Sequence, residues 1–190
     1  MASDGDLIRI VDAAMAEAAR KSGEWLVCKP GCTGCCMGPF PITMLDAARL
    51  RSGLAELERS DPERAAAVRR RAADYVARLP GFPGDIDSGV LSEDAAAEEQ
   101  FTALAEDEPC PALDPSTGRC DLYEARPVTC RIFGPAVSAG SGVLGVCELC
   151  YQGATDLQIA ACRVEVDAEN LERQLLAGDT RQTIVAFALR

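Results

Sequence analysis

The sequence contains no histidine. That absence removes histidine-ligated catalytic zinc, the two-histidine facial triad of non-haem iron, mononuclear copper sites with imidazole ligands, serine triads and the HExxH motif. No segment approaches the roughly 18 consecutive apolar residues that a membrane span needs. The start, MASDGDLIRI, lacks a basic stretch followed by an apolar one, so no secretory signal is expected. Together these absences predict a soluble, cytoplasmic protein with no membrane partner. Positive charge is also scarce. Nineteen basic residues face thirty acidic ones, a net charge of −11, which repels polyanions and argues against nucleic acid as a partner. The one basic run, Arg69, Arg70 and Arg71, is consecutive on a predicted helix and so points around it, as a solvated face does. There is no repeat and no low-complexity tract.

With 190 residues, 48% of them apolar, the chain is long enough for a single domain, residues 1–190, that buries roughly 70% of its unfolded surface without cross-links. Leu7, Ile10, Val11, Ala14, Met15 and Ala18 recur at helical spacing and predict an N-terminal amphipathic helix over 7–20. PFPIT reads as a short extended link. Thr43, with Asp46 three residues on, caps a helix through about Glu58, and Asp61 before Pro62 starts another. LPGFPGDIDSG breaks that helix, because two prolines and three glycines fix or free the backbone in ways a helix cannot use. Ser92 with Glu93 and Asp94 opens a further helix, SEDAAAEEQFTALAE, whose acidic first turn suits the helix dipole. From Pro109 to Gly153 prolines, glycines and cysteines replace periodicity, with a tight hairpin at DPSTGR whose turn Asp114 starts. Helical signals return in TDLQIAACRVEV and in DAENLERQLLAGDTRQTIVAFAL. The expected fold is mainly α: helices around two irregular cysteine-rich segments that converge on a metal site.

Ten cysteines are present, and nine fall in two blocks: Cys28, Cys32, Cys35 and Cys36, then Cys110, Cys120, Cys130, Cys147 and Cys150. In a reducing compartment such thiols point to metal ligation or catalysis rather than permanent disulfides. Cys32 with Cys35, and Cys147 with Cys150, form CxxC pairs whose two intervening residues allow a turn that aims both thiolates at one ion. Gly31 and Gly34 free the backbone there. Neighbouring side chains diverge in helix and strand, so Cys35 and Cys36 are not expected on one small ion together: one packs, or they face different metals or different corners of a cluster. Four-thiolate zinc and a [4Fe–4S] cluster both fit an all-sulfur set, and the spacing does not choose between them. Lys29, Arg119, Arg126 and Arg131 lie near the ligands. Arg126 and Arg131 are expected to lower thiol pKa values and donate to sulfur, the cofactor-binding residues beyond the ligands themselves. Cys162, alone in a helical stretch, is expected to be a buried small hydrophobe.

Other signals are weaker. GSGVLG, residues 140–145, satisfies GxGxxG without the strand and βα context that a nucleotide site needs, and reads as a flexible loop. CELC lacks the βαβ surroundings of a thioredoxin-like dithiol. Trp25 and Tyr123 flank ligands and either shield a cluster or belong to the core. No catalytic residue is singled out.

CKPGCTGCC together with CPALDPSTGRCDLYEARPVTCRIFGP resembles the YkgJ-type cysteine-cluster proteins, described as a zinc- or iron-chelating domain. Cys110, Pro111, Leu113, Gly118, Cys120, Leu122, Tyr123, Arg126, Pro127, Cys130 and Arg131 match the family's second segment, and the likeness covers about residues 25–150. It leaves an N-terminal helix and C-terminal helices outside. Two departures stand out: three residues separate Cys28 from Cys32 where the family has two, and the pair Cys147 and Cys150 is extra. The resemblance implies metal chelation by about eight cysteines, and many members are labelled Fe–S oxidoreductase. Flagellin lysine methylases are similar in their cysteine block, which keeps a cluster-dependent enzyme open. The first expectation is chelation of zinc or an iron–sulfur cluster. The alternatives are an iron–sulfur oxidoreductase and a protein of metal trafficking or storage.

Overall fold

The computed structural model describes every residue except Met1, Pro30, Pro80, residues 95–99, Thr102, Ala103, Ala105, Glu106, Ser141 and Leu144. In chain order its elements are α1 (Asp4–Ser22), β1 (Ile42–Thr43), α2 (Met44–Ser60), α3 (Pro62–Ala77), β2 (Gly84–Asp85), β3 (Val90–Leu91), β4 (Leu113–Asp114) and β5 (Arg119–Cys120). There follow α4 (Val128–Ile132), β6 (Val137–Ala139), β7 (Gly142–Val143), α5 (Asp156–Cys162), β8 (Val164–Val166), α6 (Leu171–Leu176), β9 (Gln182–Thr183) and α7 (Val185–Leu189). The mainly α expectation holds, with strands of two or three residues between helices. No helix among the described residues is long and apolar enough to cross a membrane.

The helix starts follow from their caps. Ser3 accepts from the Asp6 N–H while Asp6 reaches back to the Ser3 N–H, a capping box that begins α1. Thr43 accepts from the Asp46 N–H at the head of α2, and Asp61 accepts from the Arg64 N–H with Pro62 in the first turn of α3. The predicted helix over Ser92–Glu106 falls largely outside the described residues.

The chain divides into two compact units: unit 1 is Met1–Pro30 with Val128–Gly178, and unit 2 is Gly31–Pro127 with Asp179–Arg190. In unit 2, Ala47, Leu50 and Leu54 of α2 pack against Ala65, Val68 and Ala72 of α3 and against Val185, Ala188 and Leu189 of α7. Burying each such leucine or valine stabilises the unit by about 1.5–3 kcal/mol. Gly53 of α2 permits a close approach there, since a Cβ at that position would lie 2.3 Å from the Ala125 Cβ. β1 pairs with β9, Ile42 opposite Thr183, and β4 with β5 in the hairpin expected at DPSTGR.

In unit 1, Leu7, Val11 and Ala18 of α1 are fully buried. β6 pairs antiparallel with β7 and parallel with β8, and the crossover that a parallel pair requires contains α5.

Four readings need correction. TDLQIAACRVEV is helical only to Cys162, after which the alternating Val164, Glu165 and Val166 form β8. The C-terminal segment is two short helices parted by Gly178, at φ 90°, and by β9. Within GSGVLG, Gly142 and Val143 pair with β6 instead of forming a free loop. Arg71 also departs from a solvated face: it donates to the Pro111 carbonyl at 2.9 Å and to Asp121 at 2.5 Å.

Candidate metal centre

Unit 2 gathers one group of cysteines through backbone pairing. Thr33, Gly34, Cys35 and Cys36 form a tight turn in which the Cys36 N–H donates to the Thr33 carbonyl at 2.8 Å. The same Cys36 offers its own carbonyl to the Cys110 N–H at 2.7 Å, and Gly38 donates to the Glu108 carbonyl at 2.8 Å. Residues 36–38 thus run antiparallel to 108–110, a bridge centred on Met37 and Pro109. The β4–β5 hairpin then returns Cys120 opposite Leu113. The hairpin tip lies against the loop that carries Cys32, since a Cβ on Gly118 would be 3.7 Å from Thr33 and 3.9 Å from the Gly31 carbonyl. Its base is held by Asp121, whose buried carboxylate takes Arg64 on one oxygen and Arg71 on the other.

Unit 1 gathers the rest. Gly134, at φ 118°, sits beside Cys28, and a Cβ there would lie 3.8 Å from the Cys28 Cβ and 3.9 Å from its sulfur. The Gly134 carbonyl accepts from the Cys147 N–H at 3.2 Å, and the Cys147 carbonyl accepts from the Cys150 N–H at 2.9 Å. Cys130 lies in α4, a turn before Gly134. Next to Cys150, Tyr151 donates from its hydroxyl to Ser22, which donates to the Ala18 carbonyl, while the Tyr151 oxygen accepts the Ala136 N–H. The Tyr151 N–H donates to the Trp25 carbonyl. This chain of bonds ties the CxxC segment to the end of α1. Tyr151 and Gly134 were not singled out in the sequence: nothing in their spacing reports the contacts they make.

Several thiols are shifted upward on balance, although Arg126 acts in the expected direction. The Cys35 thiol is pushed up, first by its hydrogen bond with Cys36 and then by burial. Burial pushes Cys110 up to about 12 and also raises Cys120 and Cys150. Arg126 does pull Cys35 and Cys120 downward, and burial outweighs it. Its guanidinium stacks on Tyr123, 3.5 Å from the ring centre, and donates to the Tyr123 carbonyl. Arg131 is buried and donates to Asp12 of α1 at 2.7 Å. The backbone N–H groups of Val27 and Cys28 bond the Cys150 sulfur and favour its thiolate. Cys35 and Cys36, expected to diverge, lie close enough for their thiols to bond, because the tight turn that holds them is neither regular helix nor strand.

The sulfurs meet in pairs, Cys35 with Cys36 and Cys147 with Cys150. No group of three or more Cys, Asp or Glu among the described residues is already closed around a metal position. Cys162 is buried with Ala136, Cys150 and Tyr151, as expected of a small hydrophobe, and its thiol meets the Lys21 carbonyl at 3.4 Å.

A family model, CxxCxxCC, described as "Putative zinc- or iron-chelating domain", matches residues 27–150. The chain belongs to the CxxCxxCC family. The CxxCxxCC match begins one residue before Cys28 and closes on Cys150, so it encloses all nine clustered cysteines and leaves Cys162 outside. Searches of curated proteins and of solved structures found no match.

Proposed function

We propose that this CxxCxxCC protein chelates zinc or an iron–sulfur cluster through thiolates drawn from both sequence blocks: Cys28, Cys32, Cys35, Cys36, Cys110, Cys120, Cys130, Cys147 and Cys150. The observation that carries the reading is that the CxxCxxCC match encloses all nine clustered cysteines of a chain that lacks histidine. Cys147 and Cys150 sit within hydrogen-bonding reach, and two backbone N–H groups face the Cys150 sulfur. Amide donors to sulfur stabilise a thiolate ligand. A bound metal supplies the positive charge that keeps such thiolates ionised inside the protein. The chain's own contribution is to bring the two blocks together, through the Cys36–Cys110 backbone bond and through Gly134 beside Cys28. Arg126, placed to act on Cys35 and Cys120, offsets part of the sulfur charge.

Anaerobic purification with elemental analysis and visible absorption tests this. Iron with acid-labile sulfide and a brown colour assigns a cluster, and zinc in a colourless protein assigns a zinc site. Protein that takes up neither metal overturns the reading. Zinc alone removes any redox role.

A further inference from the structure

We infer that the nine cysteines build two separate metal centres, one inside each compact unit. Unit 1 supplies Cys28, Cys130, Cys147 and Cys150. Unit 2 supplies Cys32, Cys110, Cys120 and one of the adjacent Cys35 and Cys36. The inference rests on the chelation reading above and adds the number of sites and the division of ligands.

The argument starts from where the chain changes unit. It leaves unit 1 after Pro30 and returns at Val128. The first crossing falls between Cys28 and Cys32, and the second between Cys120 and Cys130. Each cysteine block is therefore cut in two, and each unit receives part of both. CKPGCTGCC, compact in sequence, is not one half-site: its first thiol belongs with Cys147 and Cys150 and its other three with Cys110 and Cys120. The wider gap between Cys28 and Cys32 lies at the crossing itself.

Ligand numbers agree with the division. A four-thiolate zinc or a four-iron cluster uses four cysteines, so a single centre leaves five of the nine idle. The division gives unit 1 four and unit 2 five, with the surplus in the adjacent pair. Local geometry draws members of each set toward one another without closing either set, among the described residues, around a metal position. In unit 1, Gly134 lies beside Cys28 and its carbonyl accepts from the Cys147 N–H, the Cys147 carbonyl accepts from the Cys150 N–H, and Cys130 is assigned by its place in α4, four residues before Gly134. In unit 2, Cys36 bonds Cys110, the hairpin joins Cys110 to Cys120, and the hairpin tip meets the Cys32 loop. Arg126 and Arg131 divide in the same way, one to each unit.

The test uses the full chain loaded with zinc, or with its cluster reconstituted, and counts metal per chain in Cys28→Ser, Cys32→Ser and the double variant. Cys28 is exposed and Cys32 half-exposed, so neither change opens the core. Wild type is expected to carry two zinc ions or two clusters, each single variant half of that, and the double variant none. Alkylation with mass spectrometry gives a second reading. In Cys28→Ser the thiols of Cys147 and Cys150 become reactive while Cys110 and Cys120 stay protected, and Cys32→Ser gives the reverse. A saturated wild type with one zinc or one cluster overturns the inference, as does loss of all metal or of protection at both sets in either single variant. Wild type without metal is a different failure, that of the chelation reading.

Discussion

Unit 2 seats its cysteines on the edge of an aliphatic core, whereas in unit 1 two cysteines are themselves core members of a small cluster, in a unit that also buries aliphatics such as Leu7, Val11, Val137 and Val166. In unit 2, Cys110 and Cys120 pack from outside on a cluster of leucine, isoleucine, valine and alanine from α2, α3 and α7. In unit 1, Cys150 and Cys162 are themselves the buried members of a cluster completed by Ala136 and Tyr151, with Trp25, Leu26 and Cys147 at its edge. Sulfur in the first setting decorates a hydrophobic body that helix packing already holds. In the second, the short segments around Ala136 and Cys150 are held by that small cluster and by a few polar bonds, while α1, β6 and β8 bury aliphatic side chains of their own. A ligand for sulfur should therefore matter unequally to the two.

Metal removal is the largest test of that contrast, because structural zinc sites are worth about 10–16 kcal/mol in apparent binding energy at neutral pH. Treatment with a strong chelator is expected to expose the amides of Ala136 and Tyr151 to fast hydrogen exchange while those of Leu50 and Val68 stay protected. Equal loss of protection in both units would break the comparison. Next in size, Leu50→Ala should cost about 2–5 kcal/mol in denaturant unfolding of unit 2 and leave Cys147 and Cys150 as unreactive toward alkylation as before. Tyr151→Phe is the matching change in unit 1. It leaves the Ala136 N–H without its acceptor, at a cost of about 1–3 kcal/mol, and it should speed alkylation of Cys150 but not of Cys110. Unchanged Cys150 reactivity would remove Tyr151 from any role in holding the CxxC segment.

The smallest effect sharpens the comparison from the hairpin of unit 2. The Thr117 hydroxyl, the Ser116 N–H and the Ser116 hydroxyl hold the Asp114 carboxyl down to about 2. A depressed carboxylate stabilises the fold above its unfolded value of about 3.9 and loses that contribution as pH falls toward 2. The Ser116 amide resonance should titrate with a midpoint near that lower value, and Asp114→Asn should abolish the titration without altering unit 1. A midpoint near 4 would show the turn contributes nothing.

Much of unit 2 could be read from the chain because its signals are local. Thr43 with Asp46, Asp61 before Pro62, and the hairpin around Gly118 each rest on contacts within a few residues, which is the range that sequence patterns report. The strand at Val164–Val166 escaped because helix and strand were separated by a single residue, Arg163, and its partner lies in β6. Arg71 read as solvent-facing since nothing near it in sequence announces Asp121, fifty positions away. The cysteine blocks were legible as blocks. Their division between units was not, because spacing along the chain carries no information on which compact body a residue joins.

The interleaving of the units has a consequence for the order in which the protein matures on the ribosome. β9 and α7, which complete the core of unit 2, come after every residue of unit 1. Domains close as their last segment emerges, at about 5–20 residues per second. Unit 1 thus has all of its chain while Cys110 and Cys120 still await the helix they pack beside. The thiols nearest the larger core are the ones left longest uncovered during synthesis, open to oxidants or to the wrong metal.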